Sequence, residues 1–153
     1  IAGGQYAAAY FVFIAWALFY VIISSALCLY VAPGAIGSGI PQMIAYINGI
    51  DQPGLFNLKT LIVTVISCTF SVSSGLRIGI EGPLVHVGAM IAVLTLYWFP
   101  WSAKWRNDKE KRVMIAAGAG VGIAVAFGAP VGGVLFAYEI SRNASFWTVG
   151  TFF

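Results

Sequence analysis

Charged side chains are scarce in this sequence. They make up 8% of its 153 residues, roughly a third of the ~25% usual in a soluble domain. The first 50 residues contain no Asp, Glu, Lys, Arg or His. Hydrophobic residues make up 60% of the chain, which rules out disorder and exceeds what a soluble domain of this size can bury. The shortage of charge therefore predicts an integral membrane protein.

Basic residues are few outside one short stretch. The net charge is +3, but five of the eight Lys and Arg residues lie within residues 104–112. A nucleic-acid-binding surface needs basic residues spread along one face, so we expect no nucleic acid partner. Basic loops favour the cytoplasmic side of a membrane, and residues 102–112 are therefore predicted to be a cytoplasmic linker.

Cysteine and histidine are nearly absent. Cys28 and Cys68 lie 40 positions apart, too few and too distant for a disulfide framework or a cysteine metal site, so free thiols are predicted. His86 stands alone, which favours a hydrogen-bonded packing role over a ligand or proton relay. Hydrolase, zinc-protease and nucleotide-binding signatures are missing too. We therefore expect no enzyme and no cofactor.

Apolar segments separated by Gly- and Pro-rich breaks fill the chain. Tyr6–Val31 is long enough for one tilted span. The other predicted helices are short or polar: 43–50, 58–76 (rich in Ser and Thr), 84–99, and 111–127 and 130–142, which a break near Gly128 separates. Irregular backbone at membrane depth is tolerated where protein or a water-filled path satisfies it. We predict an all-α membrane fold with tilted, short and re-entrant helices around a transport path.

The first break, residues 37–41, reads GSGIP. Glycines allow conformations that turn successive backbone N–H groups toward one point, and Pro41 suits the first turn of a helix. Ser38 adds a hydroxyl donor. The pattern predicts an anion cradle without a full positive charge, which a pore needs in order to release its ion. A plain helix-capping loop is the alternative.

The second break, residues 79–83, reads GIEGP. A carboxylate at a helix N-terminus is stabilised by the helix dipole, and an ionisable residue at membrane depth is a functional candidate. We interpret Glu81 as a tethered anion that fills the site when deprotonated and opens the path when protonated or swung aside. An ordinary capping acid is the alternative.

The third break is centred on residues 127–130 and is surrounded by small residues. Gly118 and Gly122, and likewise Gly128 and Gly132, are spaced four apart, which predicts close helix packing and a possible subunit interface. Glu139 and Arg142 are predicted to pair near the end of the last helix.

These breaks, in this order, resemble the CLC family of chloride channels and proton-coupled chloride transporters. The family's GSGIP motif matches residues 37–41, and its G-[KR]-E-G-P motif matches 79–83. An LVHxG-like stretch matches 84–88, and an FxAPxGGVLF-like stretch matches 127–136.

The resemblance implies roles for single residues. Ser38 corresponds to the serine that coordinates the central anion, and a serine there favours chloride because relatives that prefer nitrate carry proline. Glu81 corresponds to the gating glutamate. Anion-binding backbone is implied at Gly37, Gly39, Ile40, Gly79, Ile80 and Gly82.

Two positions depart from the family's patterns. Ile80 replaces a basic residue beside the gate, and we hypothesise that Arg77 compensates for the lost positive potential. Ile140 stands where exchangers commonly carry a proton-relaying glutamate and channels an apolar residue. This favours a voltage-gated chloride channel that lacks the relay at Ile140. A proton-coupled chloride antiporter stays the alternative, since Gln42 and Asn48 are more similar to the family's intracellular-membrane branch.

Residues 1–153 resemble one half of the family's inverted-repeat membrane domain. The other half supplies GxFxP amides and a tyrosine hydroxyl to the anion site, and this sequence has no GxFxP. We therefore expect a partial domain, without cytoplasmic regulatory domains, that does not conduct alone; a non-conducting scaffold is a weaker alternative. The expected partners are chloride, membrane lipid and a second copy packed through small residues, in either the plasma membrane or a vacuolar or endolysosomal membrane.

Overall fold

The structure, a computed structural model, describes residues 2–100 and 106–142, and these residues form helices joined by loops, with no strand among them. The helices are α1 (Ala2–Ala26), which continues as a π-helical turn (Leu27–Val31), a 3₁₀ turn (Pro33–Ala35), α2 (Ile40–Ile47), α3 (Leu58–Ser73), α4 (Glu81–Trp98), α5 (Asp108–Phe127) and α6 (Pro130–Ser141). The predicted all-α class is confirmed.

The helices begin and end at the predicted glycine-rich breaks. α2 begins at Ile40 and α4 at Glu81, each directly within one of the two motifs. Gly128 adopts the left-handed conformation after α5, with φ of 62°, a conformation that costs glycine no steric penalty. Pro130 then starts α6, where its missing N–H removes no helical hydrogen bond.

The predicted linker is partly helical, which corrects the sequence-based boundary. α5 begins at Asp108, so Lys111 and Arg112 belong to its first turns rather than to a loop. Asp108 and Glu110 lie in the first turn, where acidic side chains stabilise the positive end of the helix dipole. Residues 102–105 of the linker lie outside the described residues.

Glycines bring α4, α5 and α6 into close contact. A methyl group added at Gly118 would lie 2.5 Å from the carbonyl oxygen of Gly88, and one added at Gly122 would lie 2.6 Å from that of Leu84. A methyl group added at Gly120 would lie 2.7 Å from the carbonyl oxygen of Gly133. The predicted close packing is confirmed for Gly118 and Gly122, which are engaged within the chain. It is wrong for Gly128 and Gly132, because an added methyl group would meet no atom within 4 Å at Gly128 and only an ordinary contact at 3.4 Å at Gly132. A dimer through small residues stays a prediction.

Gly118→Ala is expected to destabilise this packing. Its methyl group would meet backbone of α4, which cannot move aside as a side chain can, and overpacking of this kind costs about 1–3 kcal/mol. The measurement is the thermal unfolding midpoint of the purified full-length protein in detergent. Gly132→Ala is the matched control, because its methyl group would meet the Cβ of Ala129 at an ordinary 3.4 Å. Equal midpoints for both variants would contradict the packing.

Within the part of the chain that the structure describes, two helical segments are long and apolar enough to cross a bilayer by length and composition, Tyr6–Val31 and Glu81–Trp98. α1 leaves large apolar side chains uncovered; Phe11 is 70% exposed and Trp16 57%. At the end of α4, the Arg106 guanidinium donates hydrogen bonds to the carbonyls of Leu96 and Tyr97, both at 3.2 Å. These bonds satisfy carbonyl groups that a helix end leaves without partners.

Candidate functional site: two loops at helix N-termini

The Ser38 loop (residues 37–41) turns on two glycines. Gly37 and Gly39 have φ values of 84° and 72°, in the left-handed region that strains other residues. No backbone–backbone hydrogen bond uses the N–H groups of residues 37–40 within the described parts of the chain. The Ser38 hydroxyl also makes no hydrogen bond to a described residue. The loop therefore presents several free donors.

The Glu81 turn (residues 79–83) has the same design. No side chain caps α4 at Ile80, and among the described residues the N–H groups of Gly79, Ile80, Glu81 and Gly82 donate to no backbone carbonyl. The free donors of a helix start and the positive end of its dipole together favour an anion.

The Ser38 loop and the Glu81 turn lie against each other. A methyl group added at Gly82 would lie 2.6 Å from the Cβ of Ser38, so only glycine allows this approach. Ser38, Gly37 and Gly79 line one cavity of about 330 Å³. Gly37 and Gly79, 42 positions apart in sequence, thereby lie at one cavity, together with donors from two helix starts.

The remaining predicted site residues lie around this contact. Gly39 lies against the ring of His86. Ile40 is half-buried and packs against the hydrophobic core, so its contribution is restricted to its backbone N–H. Ile80 exposes its side chain, 43% of it accessible.

The carboxylate of Glu81 folds back over its own turn. A methyl group added at Gly79 would collide with a carboxylate oxygen of Glu81, so the carboxylate lies beside the backbone of Gly79. Within residues 2–100 and 106–142, the ion pair present is Arg142–Glu139, at 3.9 Å, which confirms that predicted pair. Arg77 is exposed and makes no ion pair with Glu81 there. No direct contact therefore supports the hypothesis that Arg77 replaces the positive potential lost at Ile80.

Ile140 lies on α6. Its side chain is half-buried and packs against the core cluster that includes Met43, Val85 and Ile115. An apolar side chain in apolar surroundings offers no group that could carry a proton.

Hydroxyl and thiol groups also line the cavity, which the sequence did not indicate. The Ser24 hydroxyl donates to the carbonyl of Ser67 at 2.9 Å and lies 2.7 Å from the Ser71 hydroxyl. Ser24 is a single polar residue in an apolar run, so no periodic pattern marks it. Cys28 and Cys68 line the same cavity as free thiols, as predicted. Among the described residues no three His, Cys, Asp or Glu side chains group to hold a metal ion.

The sequence is similar to proteins of one family. A family model described as voltage gated chloride channel matches residues 20–153. Chloride channel protein CLC-c of Arabidopsis thaliana is 42% identical over 97% of this chain and 20% of its own length. Chloride channel protein A of Dictyostelium discoideum is 44% identical over 74% of this chain and 14% of its own.

A relative named as an exchanger matches equally well. H(+)/Cl(-) exchange transporter 7 of Homo sapiens is 42% identical over 84% of this chain and 17% of its own length. The chain spans about a fifth or less of the length of these relatives.

Proposed function

Since the chain belongs to the voltage gated chloride channel family, we propose that it forms part of a chloride pathway in an integral membrane protein, in transport rather than catalysis. The observation that carries the proposal is the contact of Ser38 with Gly82. It joins two sets of free donors at one cavity.

Neutral donors suit an ion that must leave again. Two helix starts supply partial positive charge, and the Ser38 hydroxyl supplies a hydrogen bond. A buried Lys or Arg would hold the anion too tightly for conduction. The backbone at Gly37, Gly39, Ile40, Gly79, Ile80 and Gly82 is proposed to complete the anion contacts.

Glu81 is proposed as the gate. Its carboxylate carries the same charge as the permeating ion and lies beside Gly79, at the start of α4, where an anion is stabilised. The carboxylate and a chloride ion therefore compete for one position. Moving the carboxylate away, or protonating it, frees that position.

The apolar surroundings of Ile140 favour a channel over an antiporter. The antiporter remains the second candidate, because the human relative is named as an exchange transporter. Reconstitution of the full-length protein in liposomes distinguishes the two. A chloride gradient that drives protons uphill identifies the antiporter, whereas chloride flux without proton movement identifies the channel.

The surface of α1 supports contact with lipid. Phe11 and Trp16 point outward with most of their area uncovered, and apolar surface of this extent is stable in hydrocarbon. A homodimer, and the choice between plasma and intracellular membranes, stay predictions.

Ser38→Ala is expected to lower the chloride-over-nitrate selectivity of the full-length protein about tenfold. A hydrogen bond to a charged group contributes about 1.5–3 kcal/mol. We expect the hydroxyl to favour chloride over nitrate by ~1.4 kcal/mol of this, so that its loss lowers the ratio tenfold. Anion flux from liposomes in the two salts measures the ratio. Ser73→Ala is the matched control, since this exposed serine lies at the end of α3, outside the cavity that Ser38 lines. Unchanged selectivity would remove Ser38 from the pathway, and no flux at all from the native protein would favour the scaffold.

A further inference from the structure

The single histidine lies directly beneath the Ser38 loop. His86 is 1% exposed, although it carries two polar ring nitrogens. A methyl group added at Gly39 would collide with its imidazole ring. The loop backbone therefore rests on the ring, and the close approach needs both the glycine and the flat side chain.

His86 also contacts the segment that follows α2. Its imidazole donates a hydrogen bond to the backbone carbonyl of Leu55, and the Phe56 ring lies edge-on at 6.4 Å between ring centroids. Nε2 is buried and has no hydrogen-bond partner among the described residues. The ring is thus fixed by one hydrogen bond and by packing on two sides.

Gly82 and His86 lie on the same face of α4. Residues four apart lie above one another on the same face of a helix. Gly82 receives Ser38, and His86 receives the next residue of the loop, Gly39. Two successive loop residues therefore contact two successive turns of α4.

We propose that His86 is a positioning residue that sets where the Ser38 hydroxyl stands in the anion site. This inference rests on the proposed function. The hydroxyl has no hydrogen bond of its own to a described residue that would hold it, so its position depends on the loop backbone. That backbone is held from below by the imidazole, which the hydrogen bond to Leu55 keeps in place.

The test compares anion selectivity in variants of the full-length protein. His86→Ala removes both the support and the hydrogen bond, and should lower the chloride-over-nitrate ratio about tenfold, as far as Ser38→Ala does. His86→Asn keeps an N–H donor for the Leu55 carbonyl. On a logarithmic scale, it should retain at least half of the selectivity that His86→Ala loses. The asparagine side chain keeps a polar group at this position. If His86→Ala does not fold, the selectivity of His86→Asn therefore provides the test.

A double variant separates positioning from general loss of structure. Once the hydroxyl is gone, its position no longer matters, so His86→Ala should change selectivity little in a Ser38→Ala background. Met90→Ala is the matched control: Met90 is fully buried one turn further along α4 but lies outside the core cluster around α2. It should lower stability and leave selectivity unchanged.

The outcomes are distinguishable from those for the proposed function. Absence of chloride flux from the native protein overturns the proposed function itself. If the native protein conducts chloride and a folded His86→Ala variant keeps full selectivity, the positioning role alone is overturned. An equal loss of selectivity in Met90→Ala would overturn it too. Additive losses in the double variant would also overturn it, because they would show that His86 acts independently of Ser38.

Discussion

Glu81→Gln in the full-length protein is expected to conduct chloride at voltages that close the native protein. Glutamine keeps the size of the side chain but carries no charge to compete with chloride beside Gly79. We expect flux at those voltages to rise about tenfold, since a change of ~1.4 kcal/mol in the open–closed equilibrium is a factor of ten. Current recorded across a planar bilayer as a function of voltage measures the effect.

The matched control is Glu139→Gln. Glu139 is also acidic, but it lies on α6 with its carboxylate 3.9 Å from Arg142, and both side chains are largely exposed. Exposed pairs of this kind contribute little, so gating should be unchanged. Gating that survives in Glu81→Gln would refute the carboxylate gate. If the protein proves to be an antiporter, proton movement driven by chloride should disappear in Glu81→Gln.

Gly39→Ala is expected to disrupt the anion site more than any other single methyl group. The left-handed φ of 72° costs a residue with a Cβ about 1–2 kcal/mol. The collision of the new methyl group with the buried imidazole of His86 adds about 1–3 kcal/mol of overpacking. The loop must shift, and we expect chloride flux to fall more than tenfold, together with a lower thermal unfolding midpoint.

Gly37→Ala separates the backbone strain from the collision with His86. Gly37 has a similar φ of 84°, but a methyl group there meets no atom within 4 Å. Both variants carry the backbone strain, and the contact with His86 is present only in Gly39→Ala. The midpoint should therefore fall further for Gly39→Ala. Equal losses in the two variants would show that the imidazole does not support the loop.

The helices were predictable from the sequence because glycine and proline act locally. Gly128 and Pro130 end one helix and start another wherever the chain goes afterwards. The start of α5 was predicted less well. Residues 108–112 are strongly charged, which is typical of a linker, yet the acidic residues Asp108 and Glu110 also suit the first turn of a helix.

The two halves of the candidate site were predicted from their motifs, but their contact was not. Ser38 and Gly82 lie 44 positions apart, and no periodicity in the sequence indicates that they approach so closely. A methyl group added at Gly82 would lie only 2.6 Å from the Cβ of Ser38. The hydroxyl groups that line the cavity and the contact of His86 with the Ser38 loop were missed for the same reason. Ser24 approaches Ser67 only because α1 packs along α3.

The sequence by itself determined the membrane class, the positions of the helix breaks and the two motifs that we propose offer donors to an anion. These follow from composition and from backbone preferences, which act within a few residues. Only the tertiary structure decided that the two donor loops share one cavity, that the carboxylate of Glu81 lies over its own turn, and that an imidazole supports the Ser38 loop. Such contacts depend on how helices pack, and helix packing is set by side chains far apart in the chain.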